Sequence, residues 1–322
     1  MPAYNAEKFV VEAIESILNQ TYTNIELLIS DDKSTDNTRK LIEQFSDPRV
    51  KFYHNDHNEG YLKTCNHLFL KCKGELITFQ DADDFSEPDR IQEQVSVLND
   101  DLSLYFCGTW YKRISVSGEV IEFVEKPTDY ESILECLKTK NGFCGATLMF
   151  RREILTKIGG YREFFDRIGN EDYDWIFLVC EKYKGINISK YLYAYRYNFD
   201  SVSQEVSLQR YLSQEYVRHF GVQRKKYGED YLQQGDSSAL NKYVENVEAP
   251  YRKDRTLIFR NYANAHTSSN NFGKALRFVQ LGIKANPLKP VNYYVMYVIL
   301  KKYFLTINPF SVWYRKLNKK RN

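Results

Sequence analysis

The chain has no Cys-x-x-Cys pair among its six cysteines (Cys65, Cys72, Cys107, Cys136, Cys144 and Cys180), and no leader pattern stands ahead of them. This predicts reduced thiols in a cytosolic compartment. A membrane-spanning run is missing too. Tyr293–Leu300 is eight residues without a charge before Lys301-Lys302 interrupts, too short to cross a bilayer. Acids are wholly absent from residues 255–322, which hold 13 Lys or Arg. Residues 1–254 therefore carry 32 basic and 42 acidic side chains, so the net charge of +3 conceals an acidic body with a basic tail. Acidic substrates are not drawn to such a body without a metal, whereas the tail suits an anionic surface. With Trp313, Arg315, Lys316, Lys319, Lys320 and Arg321 following the uncharged run, residues 287–322 are expected to lie peripherally on the cytoplasmic face of a membrane. No nucleic-acid motif accompanies this charge, so nucleic acid is not an expected partner.

What is present is globular. The 322 residues are 43% hydrophobic and 27% charged, enough for about two domains with a sizeable core. Abundant Tyr and Phe favour strands and platforms for flat ligands. Residues 75–84 (ELITFQDADD) form a hydrophobic strand that ends in three carboxylates, Asp81, Asp83 and Asp84. Oxygen-only ligands at a strand end suit a hard divalent cation, and such a cation carries a nucleotide's phosphates. The bland alternative is a solvated loop in which Asp84 and Ser86 cap the next helix ahead of Pro88.

Organisation decides between these. Asn5 is expected to cap a helix over 6–20, with Phe9, Ala13, Ile14, Ile17 and Leu18 on its apolar face. A strand follows at 25–30, ending at Asp31-Asp32. Ser34 and Asp36 open a helix carrying Leu41, Ile42 and Phe45. Strands at 50–53 and 76–80 flank a helix over 60–73. This β–α–β–α–β order predicts an α/β fold with a mostly parallel sheet flanked by helices. Asp31/Asp32 and Asp81/Asp83 then face one crevice at the carboxyl ends of the strands. Strands near 103–107, 119–124 and 146–151, a helix near 129–138 and a buried helix over 175–183 continue the first domain to about residue 205. Helices dominate residues 206–322, including a hairpin over 255–267 and 272–285 with Leu276, Val279 and Ile283 inside.

Several short segments occur in a familiar order: Pro2-Ala3-Tyr4-Asn5, Gln20-Thr21-Tyr22, Asp31-Asp32-Lys33-Ser34-Thr35-Asp36, Asp81-Ala82-Asp83-Asp84 and Asn170-Glu171-Asp172. Residues 144–161, and Tyr195-Arg196 with Ser201 and Ser203, fit the same pattern. Over 1–205 the chain resembles family 2 glycosyltransferases, inverting enzymes of the GT-A fold that use nucleotide-sugars. The resemblance implies that Pro2 and Tyr4 pack on the nucleotide base and that Asp32 accepts a hydrogen bond from a uracil-type N–H. Asp31 either assists or caps the following helix. Asp81 approaches the ribose or pyrophosphate, and Asp83 binds Mn²⁺ or Mg²⁺ bridging the diphosphate. Asp172 is the implied general base and Glu171 orients the acceptor, the plain alternative being helix N-terminal acids that satisfy the macrodipole. The implied donor is a UDP-sugar, and the implied acceptor is a growing or lipid-linked glycan of a bacterial surface polysaccharide.

The chain departs from the pattern in two places. The first strand of such enzymes runs into the Pro-x-Tyr-Asn segment, yet this sequence begins at Met1-Pro2, so the strand is expected to be missing and sheet edges exposed. Many relatives have Ala-Arg-Asn where this chain has Thr64-Cys65-Asn66. Lys63 then stands in for the Arg at the diphosphate, without bidentate geometry. No Gln-x-x-Arg-Trp follows Asp172, which disfavours processive synthesis. Two other readings remain: a catalytically inactive nucleotide-binding or partner-recruiting module, and a nucleotidyltransferase. The second is opposed by Tyr4-Asn5-Ala6-Glu7 standing where a Gly-rich phosphate loop belongs.

Overall fold

The computed structural model describes residues 1–197 and 207–307. Ser201, Ser203 and the basic residues from Arg315 onward lie outside them. Two compact units divide between Gly235 and Asp236.

The first unit opens with β1 (Pro2–Ala3), α1 (Val10–Leu18), β2 (Leu27–Asp31), α2 (Thr38–Glu43), β3 (Val50–His54), α3 (Tyr61–Phe69) and β4 (Leu76–Thr78). The helical spacing of Val10, Ala13, Ile14 and Ile17 gives α1 one buried face. That face joins Ile29 of β2 and Ile42 of α2 in a common core, each buried aliphatic side chain contributing roughly 1.5–3 kcal/mol. Asn5 does not cap α1. Its backbone is left-handed (φ 48°), and its Oδ1 accepts the Thr35 N–H at 2.8 Å, so it ties two loops together. The helix accordingly starts at Val10 with no side-chain cap. Pro2 and Ala3, which form β1, pair in parallel with Ser30 and Asp31 of β2.

β5 (Phe85–Ser86), α4 (Arg90–Asp100), β6 (Leu104–Ile114), β7 (Val120–Val124), α5 (Tyr130–Leu137), β8 (Met149–Arg151), α6 (Glu153–Lys157), α7 (Glu171–Cys180) and β9 (Lys184–Arg196) follow. A parallel sheet of order β1-β2-β3 is separate from a mixed one of order β4-β8-β6-β9-β5, with β7 paired on β6. In the second sheet only β6 and β9 run parallel. Both sheets and their helices build the α/β architecture read from the sequence.

α8 (Leu208–Tyr227) and α9 (Tyr231–Gln234) also belong to the first unit, so the boundary falls some thirty residues beyond the division at 205. A buried charge network explains why. Arg162 bonds Asp174 of α7 and, at 2.8 Å, Asp230, while Arg224 of α8 bonds Asp230 at 2.6 Å. Both aspartates are fully buried. The second unit holds α10 (Ser237–Lys253), α11 (Leu257–Ser268), α12 (Phe272–Ala285) and α13 (Pro290–Ile307). Its core is Ala263, Phe272, Ala275, Val279 and Ile299, with Leu276 and Ile283 packed against it.

Replacing Asp230 with Ala leaves two guanidinium groups without their shared counter-ion. Urea unfolding should show a loss of about 3 kcal/mol or more, and an unchanged midpoint would contradict this account of the network.

Candidate active site

The carboxyl ends of β2 and β4 bring the acids together. Asp32, directly after β2, is 3% exposed. It accepts Asn55 Nδ2 at 2.7 Å, the Glu59 N–H at 2.8 Å and the Gly60 N–H at 2.8 Å. Gly60 has φ 91°, a conformation that favours glycine, and opens α3. Asp32 therefore fixes the entry to α3. Asp31 accepts the Ser34 N–H at 3.2 Å, a bond in the loop ahead of α2, which has no side-chain cap.

After β4, Asp81 takes the Tyr61 hydroxyl at 3.1 Å, and its own N–H donates to the Tyr193 hydroxyl at 3.2 Å. Asp84 is buried and accepts the Arg196 N–H at 2.7 Å. Arg196 Nε donates to the Asp83 carbonyl at 2.9 Å, not to its carboxylate. Burial pushes the Asp81 carboxyl up to about 6, with the neighbouring charge of Asp83 adding to it. Burial likewise raises Asp83 and Asp84.

The second acidic pair begins α7. Asn170, left-handed at φ 66°, precedes the helix and donates to Ser213 Oγ of α8 at 2.6 Å, which places its first turn. Asp172 accepts Asn141 Nδ2 at 3.0 Å and the Tyr173 N–H at 2.7 Å. A Cβ on Gly145 would lie 2.6 Å from Asp172 Oδ2, so only glycine lets that loop approach the carboxylate. A helix N-terminus favours ionised acids, but burial outweighs it here. Glu171 rises to about 7 through burial and then the charge of Asp172, and burial also raises Asp172.

Asp81 feels the charge of Asp83 and, less strongly, that of Asp172, so the two acidic groups lie within electrostatic reach of one another. Pro2 and Tyr4 stand at the end of β1 beside β2, and Tyr4 is 47% exposed. Lys63 pairs with Asp166 at 3.4 Å. Tyr61, Asn141 and Arg196 are functional neighbours that spacing does not reveal. Only Arg196 had a sequence signal, in the Tyr195-Arg196 pair.

Among the described residues no three His, Cys, Asp or Glu side chains converge as a metal cage. Magnesium needs none, being held through one or two carboxylates plus water and phosphate oxygens, and the same hard oxygen ligands suit manganese. Asp81 and Asp83, partly buried and mutually repelling, fit that description.

The profile of Glycosyl transferase family 2 matches residues 1–159. An Escherichia coli protein, UDP-Glc:alpha-D-GlcNAc-diphosphoundecaprenol beta-1,3-glucosyltransferase WfgD, is 30% identical over 207 residues, 63% of this chain and 78% of its own. S. aureus TarS 1–349, solved in complex with UDP-GlcNAc, aligns over 98% of this chain and 90% of its own with a TM-score of 0.56 and 18% identity. The mannosyltransferase PcManGT from Pyrobaculum calidifontis, solved with GDP-Man and Mn²⁺, covers 97% and 81% with a TM-score of 0.53 and 16% identity. The structural likenesses agree with the α/β layout, and the sequence likeness reaches across most of a relative's length. The chain belongs to glycosyl transferase family 2 and is a glycosyltransferase of the GT-A fold.

Proposed function

We propose that the chain moves one sugar per encounter from a UDP-sugar to a hydroxyl of a growing, lipid-linked surface glycan, inverting the anomeric centre. The observation that supports this is Asp81 lying within electrostatic reach of Asp83, Glu171 and Asp172, in a chain of the matched family. The names and ligands of the relatives supply the substrate class: a UDP-glucose donor with a diphosphoundecaprenol acceptor in one, and UDP-GlcNAc in another.

In this reading the base packs on Pro2 and Tyr4, and Asp32 faces the uracil through the acceptor capacity left beyond its three present bonds. Asp81 orients the ribose or pyrophosphate. A divalent cation held by Asp83, when bound, neutralises the charge that develops on the leaving diphosphate. Asp172 takes the proton from the acceptor hydroxyl as that oxygen bonds to the anomeric carbon. The bond to the diphosphate oxygen breaks on the opposite face, and its electron pair leaves with UDP. Glu171 positions the acceptor. Asn141 donates to Asp172 and so favours its ionised, proton-accepting form. A second reading, an inactive nucleotide-binding module, is favoured by Lys63 engaging Asp166 and leaving the diphosphate without that cation.

Among the described residues no helix is long and apolar enough to cross a membrane. α13 nevertheless exposes Tyr294, Tyr297, Val298, Phe304 and Leu305 at helical spacing around Lys301. With the acid-free run 255–322, this supports an interfacial segment on anionic lipid.

Calorimetric titration of UDP should show binding that needs Mn²⁺ and is lost in Asp83→Ala. Asp172→Asn should lower kcat by roughly 10²–10⁴-fold while leaving UDP affinity intact. Binding without any transfer or hydrolysis in the unsubstituted chain would select the inactive module.

The pH profile tests the base more sharply. Asp172 works ionised and its carboxyl lies above the ordinary value, so kcat/KM should climb with pH through that raised value and level off above it. Asn141→Ala removes a donor to the ionised form, and the acid limb should move up by about one pH unit. Finally, deleting 287–322 should release the protein from anionic vesicles in a flotation assay; retained binding would remove the membrane from the reading.

A further inference from the structure

Asp172 is held from two elements. Its Oδ1 accepts the Tyr173 N–H at 2.7 Å within its own helix α7, whereas its Oδ2 accepts Asn141 Nδ2 at 3.0 Å from the loop after α5. Asn141 is itself fixed. Its Oδ1 accepts the Phe143 N–H at 3.0 Å, so the amide presents its nitrogen, not its oxygen, to the carboxylate. Phe143 is buried, its ring centroid 5.3 Å from that of Phe106 in β6. The Asn141 backbone is held by Lys126, which follows β7 and whose Nζ donates to the Asn141 carbonyl at 3.2 Å. Lys126 is pinned in turn, because its carbonyl accepts Trp110 Nε1 of β6 at 2.9 Å. A run of contacts thus reaches from β6 through Lys126 and Asn141 to one oxygen of Asp172.

Lys126 is half-buried, yet among the described residues it forms no ion pair, and its amine bonds a neutral carbonyl. Burial lowers the pKa of that amine, and the charge of Asp172 is among those that oppose the shift. Asp172 in turn feels Lys126 as a charge favouring its ionised form, against the burial that raises it. The surroundings of the carboxylate are otherwise acidic or neutral. Glu171 on the same turn, Asp81 after β4, Cys144 beside Gly145 and Tyr161 ahead of α7 all feel the charge of Asp172, and Arg210 of α8 acts on Glu171.

We propose that Lys126 is a positioning residue that holds Asp172 aimed and ionised, through its bond to the Asn141 carbonyl and through its own positive charge. The consequence for catalysis rests on the reading of Asp172 as the general base; the hold on the carboxylate is a property of the folded chain alone. Taking a cation away from a carboxylate makes protonation easier, so the loss is felt at low pH and regained as pH rises. Loss of a merely structural strut lowers activity at every pH.

The test is a pH titration of the full-length protein, Lys126→Met and Lys126→Arg, with Lys190→Met as control. Lys190 is an exposed residue of β9 that pairs with Glu93, and its loss changes net charge equally. The Asp172 carboxyl is followed by carboxyl-carbon NMR without nucleotide or metal and assigned by its absence in Asp172→Asn. Lys126→Met should raise the midpoint by about one pH unit, whereas Lys126→Arg restores the parent value and Lys190→Met leaves it in place. Lys126→Gln, which keeps a donor without the charge, gives the same reading should Lys126→Met fail to fold. In parallel, kcat/KM for UDP release from UDP-glucose with Mn²⁺ should fall about tenfold below the acid limb in Lys126→Met and return toward the parent plateau above it. An unmoved Asp172 midpoint in the Met and Gln variants, or an equal move in Lys190→Met, would overturn the inference. A midpoint that moves while the rate limb stays would keep Lys126 in its place and remove Asp172 as the base, so the two readings fail separately.

Discussion

The acidic loop after β4 keeps its shape because one arginine at the far end of β9 holds it. Arg196 is 5% exposed; its backbone N–H bonds Asp84, its Nε the Asp83 carbonyl and its Nη2 Glu12 of α1 at 2.6 Å. The guanidinium also lies 4.3 Å from the Phe9 ring centroid. One side chain thus joins β9, the acidic loop and α1. Because the contact to Asp83 is through its carbonyl, the clamp fixes the backbone without making an ion pair to that carboxylate.

Burial, not the helix dipole, sets the character of the acids in this cleft. A helix N-terminus stabilises a nearby carboxylate by about 0.3–1 kcal/mol, less than one pKa unit. Glu171 moves the other way, from 4.5 to about 7. The cost of sinking charge beside charge therefore exceeds the dipole by a clear margin. Ionising acids held in this way costs stability, and the acids at 81–84 and 171–172 carry that cost.

The sequence displayed the acids and the alternating pattern because both are local signals. The parallel half is legible from the apolar runs of β2 and β3 and the helical spacing of α1. Asn5 misleads because Ser, Thr, Asn and Asp side chains serve turns as readily as caps; its partner, Thr35, is thirty residues away. The thirteen-residue β9 escapes notice because its ends are charged and it is buried by pairing with β6 across most of its length. Asn141 and Tyr61 carry no spacing signal at all, since their link to Asp172 and Asp81 exists only after folding. The late domain boundary has the same origin: Asp230 belongs with the first unit because Arg162 and Arg224 need its charge.

The candidate site draws on both sheets, yet among the described residues no backbone ladder connects them. Asp31 and Asp32 come from the β1-β2-β3 sheet, whereas Asp81 and Asp83 follow β4 of the other. Their mutual placement rests on side chains: Asp32 holds the Glu59 and Gly60 amides that start α3, and Tyr61, the first residue of that helix, reaches Asp81. This chain of three contacts makes α3 the strut between Asp32 and Asp81. A ligand that touches both sides binds only the aligned arrangement and therefore stabilises it, by an amount that grows with ligand concentration.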